Sequence, residues 1–206
     1  MDYYDVDVYA REVTTTSPDA QLWFNRGLVW GFAYFHDEAI SCFQKAISAD
    51  PECAMAHWGI AYAIGPNYNK PWETFEADEK PEALNTAQAS LERAIDCKDA
   101  VSAPERALIE ALSTRYPADP SIEDFGPWND SYADAMRAVY RAHADELDVC
   151  CLFAEALMNR TPWQLWDLPT GRPADGADTV EALNVLETAF DTLAGAWDHP
   201  GLLHMY

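Results

Sequence analysis

Apolar positions recur at a helical period along most of the chain, in short blocks broken by turn residues. Over residues 20–53, Trp23, Gly27 and Trp30 fall on one predicted helix and Ala39, Phe43 and Ala46 on a second, which Pro51 ends. The small residues Gly27 and Ala39 let two helices approach closely, while Trp30 and Phe43 fill the space beside that contact. The pairing recurs in "AMAHWGIAYAIG" with "TAQASLERAIDC", where Ala61 faces Ala87, Leu91 and Ala94. It recurs again in "PERALIEALSTRY", with Pro104 at a helix start and Ala135, Val139 and Ala142 following. The last pair joins "LDVCCLFAEALMN", with Ala154 at the small position, to Ala182, Leu186 and Ala189 of "TVEALNVLETAF". The expected fold class is all-α.

The spacing of the first pair fits the W-x2-L-G-x2-Y, A-x3-F and P positions of a tetratricopeptide (TPR) unit of about 34 residues, with Arg26 at the usual Leu. This predicts a TPR-like α-solenoid of helix-turn-helix units over 20–53, 54–97, 102–145 and 147–196. A further helix starts in 199–206, and residues 1–19 form an N-terminal arm. The second unit is stretched by about 14 residues and the fourth by about 16. The three insertions, "GPNYNKPWETFEADEKPE", "YPADPSIEDFGPWND" and "NRTPWQLWDLPTGRPADG", each join helix A to helix B of one unit, so stacking places them on one edge. They carry Tyr68, Trp72, Phe125, Trp128, Trp163 and Trp166, apolar surface that either packs on itself as a rim or roofs a pocket.

The concave surface of a TPR array is built from helix A. Here it is expected to present Phe24, Leu28 and Phe32, then Met55, Trp58 and Tyr62, then Asp148, Cys151, Glu155, Met158 and Asn159. An aromatic-lined groove with few polar groups suits a small ligand or a partner segment. Within it Glu155 is the informative residue. A carboxylate among Cys, Leu and Met is costly to bury unless it meets a cation or a proton; the bland alternative is a partly exposed helix residue.

Charge narrows the partners. Thirty-five acidic residues against thirteen basic ones give a formal charge of −22, which repels nucleic acid and anionic membrane and offers no basic clamp for acidic chaperone tails. No apolar run reaches the roughly 18 residues of a spanning helix. The five cysteines lack CxxC spacing and the acidic N-terminus is no signal peptide, so a cytoplasmic location is expected.

The segments from "TTTSPDAQLWFNRGLVWGF" to "GPNYNKPWE", together with "FAEALMNRTPWQLWD" and "HPGLLHMY", resemble a family of microbial TPR-repeat proteins of no established activity. The resemblance implies the architecture and the special loops, and identifies this chain with the N-terminal portion of longer members that continue past the equivalent of Tyr206. It also bears on the closing "AWDHPGLLHMY", which reads as the start of a helix with His199 at the N-cap, Pro200 at the first helical position and His204 one turn in.

The leading functional expectation is a TPR-type binding module whose groove, lined by Trp58, Tyr62 and Asn159 and roofed by Trp72, Trp163 and Trp166, holds a partner segment or a small ligand. The alternative is a metal-dependent enzyme, with Glu155 as ligand or general base and His199, His204 and His36 completing a site for Zn, Fe or Cu. A third reading is a purely structural array. Lacking a polar capping helix, the C-terminal end is expected to self-associate. The three Trp rings of the roof are expected to be buried near Tyr62 and Glu155.

Overall fold

The computed structural model describes residues 3–6, 8–119 and 121–206; Met1, Asp2 and Asp7 of the expected arm and Pro120 of the second insertion lie outside them. Among the described residues the chain is all-α apart from a hairpin of two-residue strands and an isolated bridge between Asn67 and Lys70. Its helices are α1 (Pro18–Phe32), α2 (His36–Ala49), α3 (Ala54–Ile64), α4 (Glu79–Cys97), α5 (Ala103–Leu112), α6 (Gly126–Ala142), α7 (Leu147–Met158), α8 (Thr179–Thr192) and α9 (Pro200–Met205). Strands β1 (Trp166–Asp167) and β2 (Arg172–Pro173) pair antiparallel inside the third insertion.

Helix starts follow local chemistry. The Ser17 hydroxyl accepts from the Ala20 N–H at 3.2 Å ahead of Pro18, and Ser102 forms a reciprocal capping box with Glu105 ahead of Pro104. At α9 the cap is His199, whose Nδ1 accepts from the Leu202 N–H at 3.0 Å, with Pro200 next.

From α1 to α8 each helix packs on the next in sequence, and odd-numbered helices also meet: α1 touches α3, α3 touches α5, and α7 touches α9. The short α9 returns to α1, so the last helix closes against the first. Gly201 makes this junction possible, because a β-carbon there would stand 2.6 Å from Cys151 Sγ and 2.8 Å from the Phe32 ring. On the opposite side, the Phe43 ring fills the β-carbon positions of both Gly27 and Gly59, joining α1, α2 and α3 through one side chain.

The N-terminal arm is an integral strap. Tyr3 stands edge-on to Trp23 at 4.9 Å, and the Tyr9 hydroxyl and Arg11 Nη1 both donate to Asp148 on α7, at 2.8 Å and 2.7 Å. Further along, Thr14 donates through its backbone N–H and its hydroxyl to the two oxygens of Glu105 on α5.

Closure changes the expected groove. Phe24, Leu28, Phe32, Met55, Trp58, Tyr62, Cys151 and Glu155 are all buried, so the face expected to line the groove is interior. At one end α9 lies against α1 and α7, and the arm is tied to α7 beside it.

The double-glycine seat of Phe43 yields a stability prediction. Gly27→Ala and Gly59→Ala should each lose about 1–3 kcal/mol by overpacking, measured by urea denaturation. Replacing Phe43 by Leu in the Gly59→Ala background should recover part of that loss, since the ring is what the new methyl meets; an unchanged or deepened loss would show that the ring is not the obstacle.

Candidate functional site

Glu155 lies at the centre of the interior, 1% exposed. One carboxylate oxygen accepts from the Tyr62 hydroxyl at 3.0 Å, and the other from Asn159 Nδ2 at 2.8 Å, one helical turn along α7. Tyr62 is stacked on Trp58 with ring centroids 5.2 Å apart. Sequence reading grouped Glu155, Tyr62, Trp58 and Asn159, which the structure brings together in the interior.

It did not single out Arg115, which follows α5 and is fully buried. Its Nη2 donates to the Pro66 carbonyl at 2.7 Å and its guanidinium lies 4.8 Å from the centroid of the Tyr132 ring. Nε and Nη1 have no partner, and neither do the Tyr132 hydroxyl and Asn159 Oδ1. Burial works against the Arg115 charge, yet the Glu155 carboxylate, the strongest attraction acting on it, helps hold its pKa above the ordinary value. No ion pair within 4.0 Å joins the two. Tyrosines crowd the same space: burial, then Glu155, pushes Tyr62 and Tyr34 up, and burial pushes Tyr116 up to about 12 despite Arg115. The Tyr116 hydroxyl reaches the Ala61 carbonyl at 2.5 Å by occupying the space where Gly65 lacks a β-carbon.

Tyr34 belongs both to this interior, where Glu155, Cys151 and Arg115 act on its hydroxyl, and to a surface cleft of about 390 Å³ that it lines with His36, Gly65 and Asn67. It adopts a left-handed backbone with φ 59°, a strained conformation for an aromatic residue. Burial, then Arg115, lowers the His36 pKa to about 4. The Asn67 amide donates to His36 Nδ1 at 3.1 Å, its own oxygen being taken by the Asn69 and Lys70 N–H groups, so His36 carries its proton on the unpartnered Nε2.

The histidines expected to share a metal with Glu155 are engaged elsewhere. His199 is fully buried and spends Nδ1 on the α9 cap, which places its proton on Nε2, 3.3 Å from Asp148 Oδ1. His204 Nδ1 meets the Phe32 carbonyl, and His36 meets Asn67. Among the described residues, no group of three or more His, Cys, Asp and Glu is arranged to hold a metal ion. The proposed ligand set of His199, His204, His36 and Glu155 thus does not assemble: a helix cap, the Phe32 carbonyl and Asn67 each hold a different ring through one nitrogen.

The aromatic roof divides. Trp72 is buried and stacks on Phe125 at 4.5 Å, so the first two insertions share a rim. Trp163 and Trp166 do not bury: they are 58% and 45% exposed and border an open cleft of about 710 Å³ with Tyr68. Their expected burial beside Glu155 fails because the β1–β2 hairpin gives the third insertion a fold of its own at the surface. No protein-family model, no curated protein and no solved structure matches this chain.

Trp72→Ala should cost about 3–5 kcal/mol by opening a core cavity, whereas Trp163→Ala should cost under about 1 kcal/mol. Equal losses by denaturant titration would contradict the division. A pH prediction follows from His36. Its folded pKa lies below the ordinary 6.5, so its contribution is complete above pH 6.5 and is lost as pH falls toward about 4. His36→Asn should flatten that part of the stability curve and leave the more acidic limb. There Asp148, which burial raises but the His199 and Arg11 contacts hold below the usual carboxylate range, loses its share as it protonates.

Proposed function

We propose that this chain is a TPR-like helical-repeat binding module, related to the microbial TPR-repeat family it resembles, and that its partner is a small polar molecule held among the odd-numbered helices. The observation that carries this is the buried Arg115, with Nε and Nη1 unpartnered, over the ring of Tyr132; the Tyr132 hydroxyl and the Asn159 oxygen are buried and unpartnered as well. Leaving one such group unmade costs about 1–3 kcal/mol, and more when it is charged, so these groups favour a partner that supplies the missing bonds. A peptide track is the weaker reading, because the concave residues that would grip a segment are buried.

Trp58, Tyr62 and Asn159 form the lining of this site, Trp72 supports its rim from the first insertion, and Trp163 and Trp166 belong to the outer cleft. Electrospray under native conditions should detect a small molecule released on denaturation of the wild-type chain and missing from Arg115→Gln. A wild-type chain that carries only water in the interior, seen by high-resolution crystallography of the untagged protein, would remove the reading.

Self-association remains part of the proposal. Trp197 and Tyr206, both about 60% exposed, pack on Phe190, the first stacked and the second edge-on, and leave an apolar surface beside α9. Light scattering at rising concentration should show dimer formation by the wild type, reduced in Trp197→Glu; a monomer at all concentrations would count against it.

A further inference from the structure

The open cleft of the third insertion, about 710 Å³ in volume, displays side chains that the fold does not use. It begins just after α7, where the Gln164 N–H donates to the Thr161 carbonyl at 3.0 Å and closes a four-residue turn with Pro162 and Trp163 at its middle. Trp163 has φ 61° there, at a turn position where a positive φ favours Gly or Asn. An indole at such a position carries backbone strain, yet it is left more than half exposed. Trp166, three residues on, is nearly half exposed, and Tyr68 borders the same space from the first insertion. Among the described residues none of these three rings contacts another aromatic ring, so they line the cleft instead of filling it.

The cleft is built without an occupant. The Leu165 carbonyl receives the Ala174 N–H at 3.1 Å and the hydroxyl of Thr179 on α8, which joins the two ends of the hairpin and ties them to the helical body. Gly171 turns the loop with φ 66°, its N–H donating to the Asp167 carbonyl at 2.8 Å. The polar lining is mixed in sign. Arg172 can donate, the Asp175 carboxylate can accept and the Gln164 amide can do both; among the described residues no side-chain hydrogen bond or ion pair engages any of the three.

These features select among ligand classes. Polyanions are repelled by a chain of charge −22 that adds Asp167 and Asp175 to the cleft. An organic cation would suit the rings but would meet Arg172. An extended peptide would need a strand edge, and β1 and β2 offer two residues each, one of them Pro173 with no N–H. A neutral sugar has none of these conflicts. Its C–H faces lie flat on exposed indoles, and its hydroxyls, each both donor and acceptor, match planar side chains of either kind.

We propose that this cleft binds a short neutral oligosaccharide, stacked on Trp163 and Trp166 and hydrogen-bonded by Gln164, Arg172 and Asp175. The site is separate from the buried groups around Arg115, so neither reading depends on the other.

A microarray of neutral α-glucan, β-glucan, mannan and galactan oligosaccharides, probed with the full chain, tests this, followed by calorimetry with the best-retained sugar. At least one sugar should bind. Trp163→Gly relieves the turn while removing the platform, so it should weaken that sugar at least about tenfold without lowering the urea midpoint. Trp166→Ala should weaken it to a similar extent, whereas Trp197→Ala, which removes an exposed Trp outside the cleft, should bind like the wild type. If Trp163→Gly lowers the midpoint, Trp166→Ala against Trp197→Ala decides the matter. Unchanged binding in both cleft variants overturns the site. So does retention of none of the four sugar classes, or tighter binding of choline or of a proline-rich decapeptide than of any sugar.

Discussion

The buried carboxylate of Asp148 is the contact on which the closed interior depends. It lies on α7, and it receives Tyr9 and Arg11 from the N-terminal strap and His199 from the cap of α9. A charge this far from water is stable only with several donors around it, so the three contacts are mutually required. Remove the carboxylate and Arg11, itself nearly buried, is left without its main partner while the α9 cap loses its orientation. The covered state of the helix faces behind it follows from this one group.

Two buried arginines thus answer two buried acids in different ways. Arg11 pairs directly with Asp148 at 2.7 Å and belongs to the framework. Arg115 stands off from Glu155, and its environment is one of aromatic rings and a single carbonyl. The same charge types, with both acids on α7, make a structural knot in one place and leave unsatisfied donors in the other. The contrast separates the part of the molecule that holds its shape from the part with chemistry to spare.

Much of the helical framework was legible in the sequence, because small and large residues at fixed intervals carry it: Gly27 and Phe43 do meet, Pro104 and Pro200 do open helices, and His199 is the cap. Glu155 could be flagged from its apolar neighbours on α7. Arg115 could not, since one arginine after a helix carries no periodic signal and its burial arises only when loop and helices from distant positions converge. The strap was missed for a similar reason: "YAREVTTT" has no periodicity, and its partners Asp148 and Glu105 lie about a hundred residues away. The roof was half right, because rich aromatic composition does not distinguish Trp72, seated on Phe125, from Trp163 and Trp166 on an outward hairpin.

The return of α9 to α1 bears on the order in which the molecule can assemble. Neighbouring helices make local contacts and can form early, but the strap must wait for α7, and the α9 junction joins residues about 170 positions apart. On a ribosome the first helices therefore emerge with the strap held only by its local contacts to α1 and α2, and with the faces that later become interior still in water. The Asp148 contacts are complete only after His199 has emerged, so the interior is sealed last, at the C-terminal junction.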